Sequence, residues 1–203
     1  MKTCYIVGAG EFYGSFSPGP EDLVIAADGG YESLVARGIR CDILMGDLDS
    51  LKVVPEGVQT IRYPIEKDDT DTYLAFKKGL VMGYRRFRIF GGVGGRADHT
   101  FANYSLLLYG ANLKCDTVLL GDGYHCRVLR NGAITLSGPV GGNLSVFAIG
   151  GKAHGVSISG AKYKAKDITL TPEFPLGVSN SFTDEECRIE VKRGSLLIMY
   201  RVK

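Results

Sequence analysis

The sequence of 203 residues lacks several features that would define a class of protein at once. It has no tryptophan, and its five cysteines are scattered without a Cys-x-x-Cys pair, which argues against a zinc site and a disulfide framework. No apolar run approaches the length of a membrane span, and Met1-Lys2 leads straight into a strand-like run rather than a signal peptide. The net charge of +2 is too small to indicate nucleic-acid binding. We therefore expect a cytoplasmic protein that binds neither a membrane nor a nucleic acid.

Residue patterns for covalent catalysis are also missing. There is no G-x-S-x-G elbow, and the sequence gives no grounds for pairing a cysteine with a histidine. The three histidines stand too far apart to propose a metal triad, and His125 and His154 are expected to be structural or exposed. A covalent mechanism is therefore not predicted.

The first 120 residues alternate short apolar runs with helix-like segments. A run such as 23–27 is typical of a strand that is covered on both faces. This alternation predicts a mainly parallel, Rossmann-like α/β domain, with helices over 31–38, 70–83 and 99–111. After Gly123 the pattern changes to short β-type runs separated by Gly, Asn and Pro, which predicts an all-β sandwich or barrel-like domain. We place the two domains at 1–122 and 123–203.

Acidic loops follow four of the predicted strands in the first domain. In an open α/β sheet, ligands bind outside the carboxyl ends of the strands, so these loops should meet at one edge. Any single aspartate could cap a helix or fill a turn instead, but four acidic loops together favour a site. The loops are "ADGG" with Asp28, "GDLDS" with Asp47 and Asp49, "KDDTD" with Asp68, Asp69 and Asp71, and "GGVGGRADHT" with Asp98.

The carboxylates predict a divalent metal. Mg²⁺ usually binds one or two carboxylates together with phosphate oxygens and water. Two carboxylates two residues apart at a strand end repel each other, so a nearby cation would stabilise them. Asp47, Asp49 and Asp71 are therefore the candidates for a metal and general-base cluster.

The stretch "GGVGGRADHT" predicts a phosphate-binding loop. Its glycines would let backbone amides approach phosphate oxygens, and the helix start that follows favours anions. Arg96 would supply the positive charge that a triphosphate needs, and His99 could contact a nucleotide or simply cap the helix. The stretch matches neither the Walker pattern nor G-x-G-x-x-G, and a flexible turn is the alternative. The first loop, "GAGEF" at 8–12, is a weaker candidate of the same kind.

One polar and aromatic cluster, "GVSNSF" at 177–182, is a candidate site in the second domain. Ser179 and Asn180 could hydrogen-bond a polar ring, and Phe182 could stack on it. An ordinary turn is the alternative.

Taken together, these motifs resemble those of the bacterial type of thiamine pyrophosphokinase. The matching stretches come in the family's order and span nearly the whole chain: "ADGG", "GDLDS", "KDDTD", "GGVGGRADHT", "GVSNSF" and "GSLLIMYR". The resemblance implies transfer of a pyrophosphoryl group from ATP to the hydroxyl of thiamine, with Mg²⁺ and with release of AMP. It also implies a homodimer with each active site at the subunit interface.

The resemblance also implies roles for individual residues. The acidic cluster at the metal and the reacting hydroxyl would be Asp28, Asp47, Asp49 and Asp71. The nucleotide site would include Asp28, Arg96, Asp98, His99 and Thr100, and the thiamine site, given by the partner chain, Ser179, Asn180 and Phe182. Two features depart from the family: animal members use a tryptophan near thiamine, which this chain lacks, and Asp69 is an additional acid.

The predicted chemistry is attack of the thiamine hydroxyl on the β-phosphorus of ATP. Such a transfer needs in-line positioning and charge neutralisation, and Asp49 or Asp71 would orient the hydroxyl and take its proton. Two alternatives stay open. One is another metal-dependent nucleotide phosphotransferase or phosphohydrolase, and the other is a non-catalytic nucleotide-binding sensor of the same fold.

Overall fold

The computed structural model describes residues 2–47, 57–64, 66, 68–184 and 186–202. Asp49 and Lys67 of the predicted acidic loops lie outside the described residues. The chain divides into two compact units. Unit 1 comprises Met1–Leu106 and Lys114–Asp122, and unit 2 comprises Leu107–Leu113 and Gly123–Lys203. Among the described residues, no helix is both long enough and apolar enough to cross a membrane.

Unit 1 is built on parallel strands. Those described are β1 (Cys4–Val7), β2 (Leu23–Ala27), β3 (Ile43–Gly46), β4 (Gln59–Arg62), β5 (Arg86–Phe90) and β6 (Asp116–Leu120). Their order across the sheet is β6-β5-β1-β2-β3-β4. The chain runs outward from β1 to β4 on one side and returns to β5 on the other side of β1. A ligand site is therefore expected at the carboxyl ends of β1 and β5, where the strand order reverses.

In the described part of the chain, helices follow β2, β4 and β5: α1 (Gly30–Val35), α2 (Asp71–Val81) and α3 (Ala97–Asn112). The Thr70 hydroxyl caps α2 by accepting a hydrogen bond from the Tyr73 amide at 3.3 Å, as expected for a threonine at this position. Helix α3 begins two residues before the predicted start, because the Thr100 amide donates to the Arg96 carbonyl at 3.2 Å and closes a first turn there.

The core of unit 1 lies on both faces of its sheet, since successive side chains of a strand point to opposite sides. On one face, Val7, Val24 and Leu44 pack with Leu34 of α1. On the other face, Phe76 of α2 packs on Phe87 with ring centroids 4.1 Å apart. Both faces are therefore covered, as the short apolar runs predicted.

Unit 2 is antiparallel. Its described strands are β7 (Tyr124–Ser137), β8 (Asn143–Ala148), β9 (Ala153–Ser159), β10 (Ala165–Leu170), β11 (Asn180–Ser181) and β12 (Glu186–Arg201). Strand β12 pairs with β7, β8 and β9. The Asn-Gly break in the sequence at 131–132 does not divide β7. The Asn131 side chain instead accepts a hydrogen bond from the Gly194 amide at 2.9 Å, where β12 also shifts register.

These elements confirm a mixed α/β fold with a large sheet and few helices. The finer assignment, a Rossmann-like domain followed by a β-sandwich, stays a prediction. The five cysteines are free thiols, and burial raises the pKa of Cys126 to about 12 and that of Cys187 to about 11.

Backbone hydrogen bonds join the loops after β1 and β5. They run from the amides of Gly8, Gly10 and Glu11 to the carbonyls of Phe90, Gly91 and Val93, at 2.8, 2.8 and 3.2 Å. The two loops approach so closely that a Cβ added at Gly91 would lie 2.2 Å from the Gly8 carbonyl oxygen. The centre of this junction is therefore formed by peptide groups.

We expect Gly91→Ala to destabilise the protein by about 3 kcal/mol or more, because it combines a positive φ with a backbone clash. Gly38→Ala is the matched control: φ is +63° at Gly38 and +61° at Gly91, but nothing lies within 4 Å of a Cβ added at Gly38. That control should cost only about 1 kcal/mol. Urea unfolding of both variants measures the difference, and equal losses would show that the junction relaxes without cost.

Candidate active site

A cavity of about 360 Å³ lies beside this junction, at the carboxyl ends of the strands of unit 1. Peptide groups of the loops after β1 and β5 form much of its wall. The side chains that line it come from the loop after β2, the first turn of α2, the residue before α3 and α3 itself: Asp28, Thr72, Arg96, His99 and Asn103. The cavity therefore combines backbone amides with one carboxylate, one guanidinium and one imidazole.

Asp28 occupies the turn after β2 in an unusual backbone conformation. Its φ is +51°, a value that aspartate and asparagine tolerate better than most residues. Its amide donates to the Met45 carbonyl at 2.7 Å, and a Cβ added at Gly46 would lie 3.2 Å from the Asp28 Cα. Asp28 therefore lies beside the end of β3, where Asp47 follows Gly46.

Of the other predicted acids, those of the "KDDTD" loop lie before and at the start of α2. Asp71 is the first residue of α2, directly before the cavity-lining Thr72. Asp69 forms an ion pair with Lys77 at 2.7 Å, which gives this additional acid a structural partner. Within the described ranges, no three His, Cys, Asp or Glu side chains are close enough to hold a metal ion, and Asp49 lies outside those ranges.

Arg96 and Asp98 form an ion pair. Arg96 Nη2 lies 2.6 Å from Asp98 Oδ2, and Arg96 Nε lies 3.2 Å from Asp98 Oδ1. This hydrogen bonding lowers the pKa of Asp98 to about 2 and raises the pKa of Arg96. Both side chains are exposed, at 72% and 65%, and Arg96 is the member that lines the cavity. The predicted positive charge is present but is already balanced by its neighbour.

Of the other predicted residues of α3, His99 lies at the cavity and Thr100 does not line it. His99 lines the cavity, whereas the Thr100 hydroxyl donates to the Arg96 carbonyl at 3.3 Å within the helix. Asn103 and Thr72 also line the cavity, and neither was predicted as a site residue. The spacing of four between His99 and Asn103 could have indicated Asn103, because such residues share one helix face.

A second cavity, of about 510 Å³, lies within unit 2. Its wall is mainly apolar and includes Ile158, Ile168, Leu170, Leu176 and Val178. Tyr163, Lys164, Ser179 and Asn180 add polar groups to the lining. Tyr163 is 60% exposed, and the Lys162 ammonium lies over its ring, 5.3 Å from the centroid.

Asn180 and Phe182 make their main contacts inside the protein. The Asn180 amide accepts from Tyr163 N at 2.9 Å and donates to Tyr163 O at 2.8 Å, and Asn180 is only 5% exposed. Phe182 is 1% exposed and packs in the core of unit 2, so its ring presents no open face to a ligand in this structure. The roles of Asn180 and Phe182 in ligand binding stay predictions. Tyr163 is an exposed aromatic residue of this cavity that was not predicted from the sequence.

Comparison with known proteins identifies the family. Residues 20–119 match the model "Thiamin pyrophosphokinase, catalytic domain", and residues 134–196 match the model "Thiamin pyrophosphokinase, vitamin B1 binding domain". The chain is 27% identical over 186 residues to thiamine pyrophosphokinase of Bacillus subtilis (strain 168), covering 88% of this chain and 86% of that protein.

Solved structures show the same fold. The crystal structure of thiamine pyrophosphokinase from Bacillus subtilis matches with a TM-score of 0.87 at 22% identity and covers 99% of both chains. Thiamin pyrophosphokinase from Candida albicans matches with a TM-score of 0.76 at 13% identity, covering 99% of this chain and 89% of that one. With its two units matched in order by the two models, the chain belongs to the thiamin pyrophosphokinase family.

Proposed function

We propose that this chain is a thiamine pyrophosphokinase, which transfers the pyrophosphoryl group of ATP to the hydroxyl of thiamine and releases AMP. The observation that carries the proposal is the cavity of unit 1, where glycine peptide groups, Arg96 and Asp28 meet at the carboxyl ends of parallel strands. This combination suits the phosphates of a nucleotide. A cytoplasmic location is part of the proposal.

The nucleotide phosphates would bind at the glycine-rich loop of this cavity. Gly94 and Gly95 have φ values of +81° and +65°, which direct the backbone into the start of α3. Free amides and the dipole at a helix N-terminus favour anions. Arg96 has five N–H donors, so it can bind a phosphate while keeping part of its contact with Asp98.

Mg²⁺ is the metal that we propose for this site. The donors that the described residues offer are carboxylate oxygens at the ends of neighbouring strands, Asp28 and Asp47, which are the hard ligands that Mg²⁺ prefers. Two carboxylates are sufficient when phosphate oxygens complete the coordination, so the donor set fits this metal. When bound, the metal would neutralise phosphate charge. Asp49 and Asp71 are further candidate ligands from the sequence.

The chain's own residues would then position the reactants. Arg96 would stabilise charge on the phosphates, and Asp49 or Asp71 would orient the thiamine hydroxyl and accept its proton. Asp71 stands next to the cavity-lining Thr72, which gives it a suitable position for that task. Transfer of this type requires alignment more than covalent chemistry, which fits the absence of a nucleophile motif.

Thiamine would bind in the cavity of unit 2. The apolar wall suits the flat rings of the substrate, and the exposed ring of Tyr163 could stack on them. The family resemblance suggests that a homodimer forms and that each active site combines unit 1 of one chain with unit 2 of its partner. Ser179 lines the same cavity and is exposed, so it remains a candidate to hydrogen-bond the substrate.

The activity itself is the first test. With ATP, Mg²⁺ and thiamine, we expect stoichiometric AMP and thiamine diphosphate, and EDTA should abolish both. ADP formation, or thiamine-independent release of inorganic phosphate, would favour another phosphotransferase or a phosphohydrolase. Tight nucleotide binding without AMP would favour a sensor.

The second test is Asp28→Asn, which removes a charge but keeps a residue that tolerates the positive φ at this position. Turnover should fall about 10²-fold, the scale of a lost electrostatic contact in an active site. The melting temperature should stay near that of the wild type. Asp69→Asn, in the Lys77 ion pair, is the matched control and should retain activity. Near-normal turnover of Asp28→Asn would show that Asp28 only shapes the turn.

The third test is subunit complementation between Asp28→Asn in unit 1 and Tyr163→Ala in unit 2. If each site uses both chains of a two-fold dimer, a mixed dimer has one intact site and one site with both defects. Random re-pairing makes about half of the dimers mixed, so activity should recover to about a quarter of wild type. The measurement is thiamine diphosphate formation after joint dissociation and reassembly.

Light scattering and isotope-labelled chains confirm that the subunits have exchanged. If exchange is complete and activity stays at the level of the parent variants, each site is built within one chain. That outcome would remove the shared site and leave the enzyme assignment in place.

A further inference from the structure

Asn103 is a polar side chain that has no role in the chemistry proposed above. It lies within α3, it is only 5% exposed, and it lines the cavity of unit 1. Asparagine in the interior of a helix is intrinsically less favourable than leucine or alanine. Its presence there calls for a specific contact.

That contact is with the glycine-rich loop. Asn103 Nδ2 donates to the Gly92 carbonyl oxygen at 2.8 Å. From another side, Leu119 of β6 closes on the same residue, since a Cβ added at Gly92 would lie 2.6 Å from Leu119 Cδ1. Gly92 therefore packs between α3 and β6 and contacts both.

On either side of Gly92 the loop is held by backbone hydrogen bonds, from the Gly10 amide to the Gly91 carbonyl and from the Glu11 amide to the Val93 carbonyl. The packing is looser only further on, at Gly95. Nothing lies within 4 Å of a Cβ added at Gly95. Glycines populate many backbone conformations, so a loop of this composition would be mobile unless several of its peptide groups were held. Together with the backbone bonds at Gly91 and Val93, the Asn103 contact at Gly92 orders the loop before a ligand arrives, and this lowers the entropy cost of binding.

We propose that Asn103 is a positioning residue for the nucleotide. It holds the Gly92 carbonyl, and through it the peptide groups of 92–95, in the orientation that receives the phosphates. The inference rests on the proposed function, because that function places the nucleotide in this cavity.

The test is Asn103→Leu, which keeps the size of the side chain and removes the donor. Calorimetry with AMP, and with ATP in EDTA, should show nucleotide Kd values about tenfold higher than in the wild type, the scale of one lost ordering hydrogen bond. In steady-state assays, KM for ATP should rise by a similar factor. KM for thiamine and kcat should change by less than about twofold, because Asn103 does not act on the reacting groups.

Two further variants separate positioning from loss of stability. Leu106→Val alters a 1% exposed residue of the same helix that does not line the cavity, so it should lower the melting temperature and leave the nucleotide Kd unchanged. Asn103→Ala removes the same donor, and alanine is the best helix former. The nucleotide Kd can therefore be measured in this variant if Asn103→Leu does not fold. Hydrogen exchange at the amides of 92–95 should be faster in both Asn103 variants.

Each result decides between named outcomes. Unchanged nucleotide affinity in the Asn103 variants, with a wild type that binds nucleotide, would falsify the positioning role and leave the proposed function standing. An equal rise of Kd in Leu106→Val would overturn it as well, because general loosening of α3 would then be the cause. A wild type that binds no nucleotide would overturn the proposed function, and this inference with it.

Discussion

The candidate active site depends on the backbone hydrogen bonds that join the loops after β1 and β5. These hydrogen bonds bring the two loops so close together that a Cβ added at Gly91 would lie 2.2 Å from the Gly8 carbonyl oxygen. Much of the cavity wall is therefore backbone, and a few side chains complete it. A surface of this kind binds phosphate through fixed N–H groups and leaves the chemistry to a few residues around it.

The two units differ in what they offer to a ligand. The cavity of unit 1 is the more polar of the two, and its guanidinium is balanced by Asp98 rather than left as a bare charge. The cavity of unit 2 is mainly apolar and carries the exposed ring of Tyr163. This difference fits a reaction between a charged nucleotide and a substrate made largely of flat rings.

Much of the scaffold could be predicted from local patterns. Strand β2 coincides with the predicted run at 23–27 because all five of its residues are buried and apolar. Helix α2 follows from the cap at Thr70. The acidic loops were predicted to meet at one edge because parallel strands share their carboxyl ends, and Asp28 and Arg96 do line one cavity there.

Contacts distant in sequence could not be predicted in the same way. Phe182 and Tyr163 are both aromatic residues beside β-type runs, but the ring of Phe182 is buried against Gly138, where an added Cβ would lie 2.5 Å from it. The amide of Asn180 is occupied by a backbone 17 residues earlier in the chain. The pairing of Arg96 with Asp98 is local, but the sequence does not distinguish it from two separate contacts to a ligand.

The two hydrogen bonds between the Asn180 side chain and the Tyr163 backbone have a consequence for ligand recognition. One buried amide binds both the N–H and the C=O of the residue whose ring is exposed, so the backbone under that ring is already fixed in the free protein. A ligand that stacks there has only the two side-chain torsions of a tyrosine to immobilise. Selectivity at this position would then depend on the shape of the ligand, because a fixed backbone limits the positions that the tyrosine ring can reach.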